Sequence, residues 1–479
     1  MQRRTKIVAT LGPASSTPEA LERIVRAGVD VVRMNFSHGS PEDHIQRAAT
    51  VRAAAKAVGR TVGILADLQG PKIRVGKFEN NKIVLAPGDR FILDAAWDKP
   101  GNQERVGLDY KELPNDLEQG AVLLLNDGML EFHVSEVRGS EVHCRVVRGG
   151  VLSNNKGINR QGGGLTAPAL TAKDKEDIKT AARIKADFIA VSFPRSAADM
   201  RQARELMLAA GGKSLLVAKI ERAEAIPLLG EIMDASDAIM VARGDLAVEV
   251  GEAAVPGLQK RMIRLARARA KLVITATQMM ESMITHPIPT RAEVSDVANA
   301  VLDGTDAVML SAETAVGEYP VETVEAMARI CLQAEKEFED HAEDHRLGDI
   351  EFQRIDQSIA MSALFAASHF KVKAIVALTQ SGSTALWTSR VTARVPIFAL
   401  TPVAETLTKL TLFSGVYPIA FTPNSKFPSL ALVEAEQELE RLGVVQDGDL
   451  MVMTIGDAIG RSGHTNTMKI VQAGEYRKA

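Results

Sequence analysis

The strongest constraint on this chain is a count. Eight short apolar runs rich in β-branched residues recur along it: TKIVATLG from Thr5, VVRMNFS from Val31, VGILADL from Val62, FIAVSF from Phe188, SLLVAKIE from Ser214, AIMVARGD from Ala238, LVITATQ from Leu272 and AVMLSAE from Ala307. Seven of the eight lead into helical patterns such as TPEALERIVRAG, TAKDKEDIKTAARI and TRAEVSDVANAVLDG, several opened by a Ser or Thr placed to cap the first turn. Parallel strands are joined only through crossovers, so strand and helix alternation of this kind builds a parallel sheet. Eight such units predict an α/β fold, a (β/α)8 TIM barrel.

The third run is the exception. Over residues 71–167 no long helical pattern appears and the chain reads as short strands, among which EFHVSEVRGSEVHCRVV has the alternation and central turn of a hairpin. This predicts a small β-barrel inserted after strand three, a lid over the barrel mouth. After a helix-rich join at residues 320–349, the runs KAIVALT, VPIFALT, YPIAFT and DLMVMTIG restore the alternation and predict an open α/β domain. The expected division is a catalytic barrel at 1–70 and 168–349, the lid at 71–167 and a C-terminal α/β domain at 350–479. A chain of 479 residues exceeds one core, which agrees with three domains.

Lys plus Arg (57) nearly balances Asp plus Glu (60), so no global field points to nucleic acid or an anionic membrane. Any anion site must be built locally. The 46% hydrophobic and 24% charged content is that of an ordinary globular protein. Cys144 and Cys331 stand far apart without metal-like spacing, which fits a reducing compartment and packing roles. The opening MQRRTKIVATLGPASS lacks the apolar run of a secretory signal, and no stretch reaches the roughly 18 apolar residues of a membrane helix. A cytoplasmic location is expected.

Catalytic groups of TIM barrels gather at the C-terminal ends of the strands, where polar residues therefore need explaining. Arg33, Asn35 and Ser37 are spaced by two on the second strand and are expected to share a face in the mouth. Lys219 and Glu221 on the fifth strand and Thr275 and Thr277 on the seventh are read in the same way. Asp67 closes the third strand, and Gly244 and Asp245 end the sixth. One Lys–Glu pair on a strand is commonly a structural ion pair. Polar groups converging from five strands are too costly to bury without a shared ligand or metal. These residues alone define a metal-dependent barrel enzyme acting on a phosphate or a carboxylate.

Longer segments narrow this. NFSHGSPEDH at Asn35, DLQGPKIRVG at Asp67, NNKGIN at Asn154, VAKIERAEA at Val217, VARGDLAVE at Val241, TATQMMESM at Thr275 and PTRAEVSDVANAVLDGTDAVMLSAETAVGEYP at Pro289 resemble the signature segments of pyruvate kinases. The resemblance runs in the family's order over essentially the whole chain. It implies transfer of the phosphoryl group of phosphoenolpyruvate to ADP. It further implies that Lys219 stabilises the developing enolate, that Glu221 and Asp245 hold magnesium (or manganese), and that Gly244 and Thr277 meet the substrate carboxylate, with Thr277 also a proton relay. Arg33 and Arg74 resemble the family's phosphate-binding arginines. Lys156 resembles the lid lysine that meets the nucleotide phosphates, with Asn35, His38 and Arg74 in the same nucleotide region. Asn35, Ser37, Asp67 and the backbone of Leu68 match a monovalent-cation site. A homotetramer is the family's usual assembly. One departure is Ala247, where the family's RGDLG has glycine. The competing readings are a lyase or synthase acting on phosphoenolpyruvate, against which the lid and Lys156 speak, and an inactive homologue that senses a metabolite, against which the intact matched residues speak.

Two further expectations concern regulation. TQSGSTALWTSR follows a strand and opens a helix, so its amides and the hydroxyls of Thr379, Ser381, Ser383 and Thr384, around Gly382, are read as an anion site. The resemblance makes it an effector site for a sugar phosphate or AMP, closed over by GDAIGRSGHTNT. In DLQGPKIR, Leu68, Gln69 and Lys72 depart together from the DTKGPEIR of potassium-dependent members. Lys72 is expected to supply the charge that potassium supplies elsewhere, so that potassium is not required.

Overall fold

The computed structural model describes residues 2–341, 352–391, 395–458 and 460–475. All eight expected strands are present: Lys6–Thr10, Val31–Asn35, Gly63–Asp67, Phe188–Val191, Leu215–Ile220, Ala238–Ala242, Leu272–Ala276 and Ala307–Leu310. They pair in parallel as a closed ring, the first strand meeting the eighth through Lys6 and Ala307. Period-two alternation then sorts the side chains. Val8, Val31, Leu65, Ala190, Val217, Met240, Ile274 and Met309 pack inside the ring, whereas Ile7, Val32, Ile64, Ile189, Leu216, Ile239, Val273 and Val308 pack toward the helices. Thr17, Ser40, Thr171 and Thr290 each accept an N–H of the first turn they cap, as the sequence pattern requires.

The segment after the third strand folds as a six-stranded sheet and a two-stranded ribbon, Lys82–Leu85 with Gly150–Ser153. The expected hairpin joins Leu130–Arg138 to Glu141–Arg148 and turns at Gly139, whose φ of 59° suits glycine. One apolar core, with Phe91 edge-on to Phe132, holds these strands together. Toward the C-terminus a sheet runs in the order Val416–Ala420, Ile397–Thr401, Ala374–Leu378, Leu450–Ile455, Thr467–Gln472. The last of these is antiparallel and absent from the four-run reading, because TMKIVQ lies at the sheet edge without an apolar run. Of the helix-rich join, Pro320–His341 is helical; its remainder and the expected 349/350 boundary lie outside the described residues. Arg390 fastens this domain to the barrel: its Nη1 donates to Asp306 Oδ2 (2.9 Å) and to the Lys271 carbonyl (2.8 Å), and its Nη2 pairs with Asp306 Oδ1.

Candidate active site

The inward parity continues past the core to the C-terminal ends of the strands, where Thr10, Arg33, Asn35, Asp67, Lys219 and Glu221 follow the residues that fill the ring. Lys219 Nζ lies 3.2 Å from Asp67 Oδ1 and 3.1 Å from Glu221 Oε1, and donates to Ser192 Oγ at 2.8 Å. Arg33 closes the other side of Asp67, its Nε 2.5 Å from Oδ2, and its Nη1 donates to Thr10 Oγ1 at 3.1 Å. Burial works to lower the Lys219 pKa, but the Asp67 and Glu221 carboxylates hold it above the ordinary lysine value. Burial likewise works against ionised Asp67, yet Lys219 and Arg33 keep it below the usual carboxylate range. Glu221 is pushed up, first by burial; Asp245 and Asp67 add to this while Lys219 opposes it.

Four sequence expectations need correction at the strand ends. Thr275 does not face the mouth. It has the parity of helix-facing Val273 and donates to Thr305 Oγ1 at 3.0 Å. Thr277 reaches the mouth by a different route from the one expected, because the seventh strand ends at Ala276 and the backbone turns left-handed at Thr277 (φ 69°) and Gln278 (φ 53°). Arg243 secures that turn by donating to the Ala276 and Thr277 carbonyls at 3.1 and 2.6 Å, while its Nη1 pairs with Asp296 at 2.7 Å. Gly244 and Asp245 lie in the first turn of the helix Arg243–Val250, beyond the sixth strand. Ser37 lies past the second strand, in a turn where Asn35 Oδ1 accepts its N–H at 3.1 Å; exposed His38 follows.

The Gly244 N–H donates to Thr277 Oγ1 at 2.9 Å, and the Thr277 hydroxyl donates to the Ala276 carbonyl at 2.6 Å. A Cβ on Gly244 would stand 3.8 Å from Thr277, an ordinary contact, so the fold itself does not demand glycine here. A demand for glycine would come from a ligand. Ala247 lies within a regular helix and outside the left-handed region, so it carries no strain.

The lid faces this centre across an open cleft of about 1120 Å³ lined by Asp127, Met129, Gly244, Asp245 and Thr277 among others. Lys72 crosses from the lid hinge: its Nζ donates to Asp245 Oδ1 at 3.1 Å and stands 3.6 Å from Asp127 Oδ1. Burial opposes its charge, but these two carboxylates hold its pKa above the ordinary value. Arg74 and Lys156 stay on the lid, the Arg74 guanidinium donating to the Asn155 carbonyl at 3.0 Å. Among the described residues no group of three or more His, Cys, Asp or Glu is arranged to hold a metal ion. Glu221 and Asp245 offer hard oxygens from two carboxylates, and Asp245 already attracts a cation in Lys72. Such a donor set fits a small divalent ion that takes its remaining ligands from substrate and water.

Sequence reasoning missed Ser192, which joins Lys219 to the barrel wall by donating to the Leu68 carbonyl at 2.7 Å. Its signal was present, since Ser192 stands two residues past inward-facing Ala190 in FIAVSF. In the C-terminal domain, Thr379, Ser381, Ser383 and Thr384 line a small, partly open cavity of about 40 Å³ with Gly456, Arg461 and others from the 456–465 loop. Their hydroxyls are engaged: Thr379 accepts the Gly382 N–H, Ser381 that of Ser383, Ser383 donates to Asp356, and Thr384 pairs with Thr465.

Comparisons agree with this architecture. The family model for the pyruvate kinase barrel domain matches residues 2–324, and that for the pyruvate kinase alpha/beta domain matches residues 357–471. The chain is similar to pyruvate kinase II of Salmonella typhimurium, at 54% identity over 98% of each chain. It is similar also to the pyruvate kinase of Haemophilus influenzae, at 56% identity over 95% of this chain and 96% of that one. Its fold superposes on the crystal structure of a Cryptosporidium parvum pyruvate kinase with a TM-score of 0.90 and 34% identity, covering 98% and 96% of the two chains. A closed eight-stranded barrel, a cationic and carboxylate-rich mouth, and near-full-length identity above one half with two such enzymes lead to one conclusion: this chain belongs to the pyruvate kinase family, whose members act on phosphoenolpyruvate and ADP with a divalent metal cation.

Proposed function

We propose that Lys219 is the central catalytic group of this pyruvate kinase, and that the buried cluster it forms with Asp67, Glu221 and Ser192 is what carries the assignment. An ammonium held charged by two carboxylates is preorganised to meet negative charge as it develops on the enolate oxygen. Arg33, fixed by Asp67 and Thr10, presents its remaining guanidinium edge to the phosphoryl group. Glu221 and Asp245 are proposed to hold magnesium, or manganese in its place, which when bound would offset charge on the substrate's phosphate and carboxylate. A substrate carboxylate taking the Gly244 N–H would release Thr277 Oγ1 as an acceptor, and the hydroxyl, swung away from the Ala276 carbonyl, would move a proton to the methylene carbon. Arg74 and Lys156 on the lid, with Asn35 and His38 at the mouth, are the proposed nucleotide contacts.

Lys72 supports a potassium-free reaction, since its ammonium stands in the mouth on Asp245 rather than in solvent. Asn35, Ser37, Asp67 and Leu68 remain as oxygen donors for a monovalent cation. The hydroxyl-lined cavity at the start of the helix Ser383–Arg390, with Arg461 on its rim, supports an anionic effector, a sugar phosphate or AMP. Exposed Ile355 and Phe365 on one helix, with Phe370 beyond it, support a homotetramer. The proposed division is 1–70 with 168–349, 71–167, and 350–479, in a cytoplasmic protein whose two cysteines are buried and unpaired. A coupled assay for pyruvate from phosphoenolpyruvate and ADP with magnesium tests the reading; no pyruvate above the magnesium-free blank would reject it.

A further inference from the structure

We propose that Arg222 and Phe193 are a positioning pair that couples the seating of the lid to Lys219 and Glu221. The inference rests on the roles given above to those two residues. The lid leaves the barrel at Gly70 and returns through residues 162–167, which open with three left-handed glycines (φ 80°, 81° and 94°). This return strap is held by the barrel. Gly162 N–H donates to the Glu249 carbonyl at 3.0 Å, Gly164 N–H to Glu224 Oε1, and Arg195 to the Thr166 carbonyl at 3.0 Å. Arg222 contributes two more bonds, Nη1 to the Leu165 carbonyl at 3.1 Å and Nη2 to the Ala167 carbonyl at 3.4 Å.

Arg222 directly follows Glu221 and is 4% exposed, and the Glu224 and Glu249 carboxylates near it favour its charge. Burying a guanidinium is costly, and here its hydrogen bonds to the two strap carbonyls help to offset that cost. Phe193 lies beside it as well, with the guanidinium carbon 5.7 Å from the ring centroid. Phe193 is itself held left-handed (φ 54°), and its N–H donates to Glu221 Oε2 at 2.9 Å. The preceding residue, Ser192, receives the Lys219 ammonium. The departing hinge packs on the same dipeptide: a Cβ on Gly70 would fall 2.7 Å from Ser192 Cβ and 3.2 Å from the Phe193 ring. The departing hinge therefore bears on residues 192 and 193 directly and the return strap on Phe193 through Arg222, and the hydroxyl and N–H of those two residues orient the two central side chains. Displacing the strap removes acceptors from Arg222 and support from the Phe193 ring, and the Phe193 N–H with it.

The test uses Arg222→Met, which keeps the stem and loses the fork, Arg222→Lys, which can reach one carbonyl, and Phe193→Leu. For Arg222→Met we expect kcat to fall tenfold or more and the KM for ADP to rise tenfold or more, with the KM for phosphoenolpyruvate within twofold. Arg222→Lys should lie between. Hydrogen exchange over residues 158–167, read with and without magnesium plus phosphoenolpyruvate, should slow on addition in the wild type and not in Arg222→Met. Equal slowing in the variant, or parallel changes in both KM values, would overturn the inference, as would an active fraction lowered at unchanged constants. If Arg222→Met does not fold, Arg222→Lys and Phe193→Leu are read by the same criteria. A wild type without turnover would defeat the proposed function, whereas an active wild type with an indifferent Arg222→Met defeats only the coupling.

Discussion

Reversing the charge at Lys72 tests the proposed freedom from potassium most directly. Its Nζ is 3.1 Å from Asp245 Oδ1, and the side chain is about one quarter exposed. At an effective dielectric of about 20, two unit charges at that distance attract by about 5 kcal/mol. Water reaching the exposed part screens this, and halving it leaves about 2–3 kcal/mol, or roughly a hundredfold in rate if the charge serves the transition state. Lys72→Glu should therefore lose about two orders of magnitude in turnover when tetramethylammonium is the only added monovalent cation. Potassium chloride at equal ionic strength should restore tenfold or more of that loss, because Asn35, Ser37, Asp67 and the Leu68 carbonyl still offer oxygens. The wild type, assayed for pyruvate in the same two salts, should differ by less than tenfold. Stimulation of the wild type by tenfold or more, about 1.4 kcal/mol, would refute the reasoning, as would a Lys72→Glu enzyme indifferent to potassium.

Lys219→Met should lower turnover by several orders of magnitude while calorimetry still registers binding of magnesium with phosphoenolpyruvate, whereas Glu221→Ala should mainly weaken the metal; near-normal turnover of Lys219→Met would remove its electrostatic role. Ser381→Asp should abolish any effect of a sugar phosphate or AMP on the phosphoenolpyruvate saturation curve, and an unaltered shift would exclude the C-terminal cavity as the effector site. Glu249 is pushed up to about 7, chiefly by burial, so the folded state holds its proton more tightly than the unfolded chain. Stability should fall as pH rises from the ordinary carboxylate value of 4.5 through about 7, and Glu249→Gln should flatten that slope in denaturant melts; an unchanged slope would contradict the burial argument. Arg390→Met would leave Asp306 buried, with backbone donors from Val273 and Ser414 and the charge of nearby Arg267 but without its bidentate ion pair, and should cost about 3–5 kcal/mol. A loss under about 1 kcal/mol would show that water reaches Asp306.

What could be read from the sequence follows the reach of a simple rule. Strand alternation is fixed by the pleat, so once eight strands close into a ring, every second residue faces inward, and Arg33, Asn35, Asp67, Lys219 and Glu221 could be placed from spacing alone. The rule lapses where the strand ends. Extending it one residue past Ala276 puts Thr277 on the face of Thr275 and both in the mouth; Thr275 in fact packs with the helix-facing set. Spacing cannot reveal a left-handed backbone at a β-branched residue, because the residue type argues against it. That conformation costs on the order of 1–2 kcal/mol and persists only if neighbours over-determine it. Arg243 does so with two carbonyl acceptors and an ion pair, none of them predictable without the sixth and seventh strands being adjacent. Phe193 follows the same logic at the end of the fourth strand, where its left-handed turn aims an N–H at Glu221. The barrel thus supplies register, and the strained residues just beyond it supply aim. A substitution that relaxes either turn should therefore disturb the chemistry before it disturbs the fold.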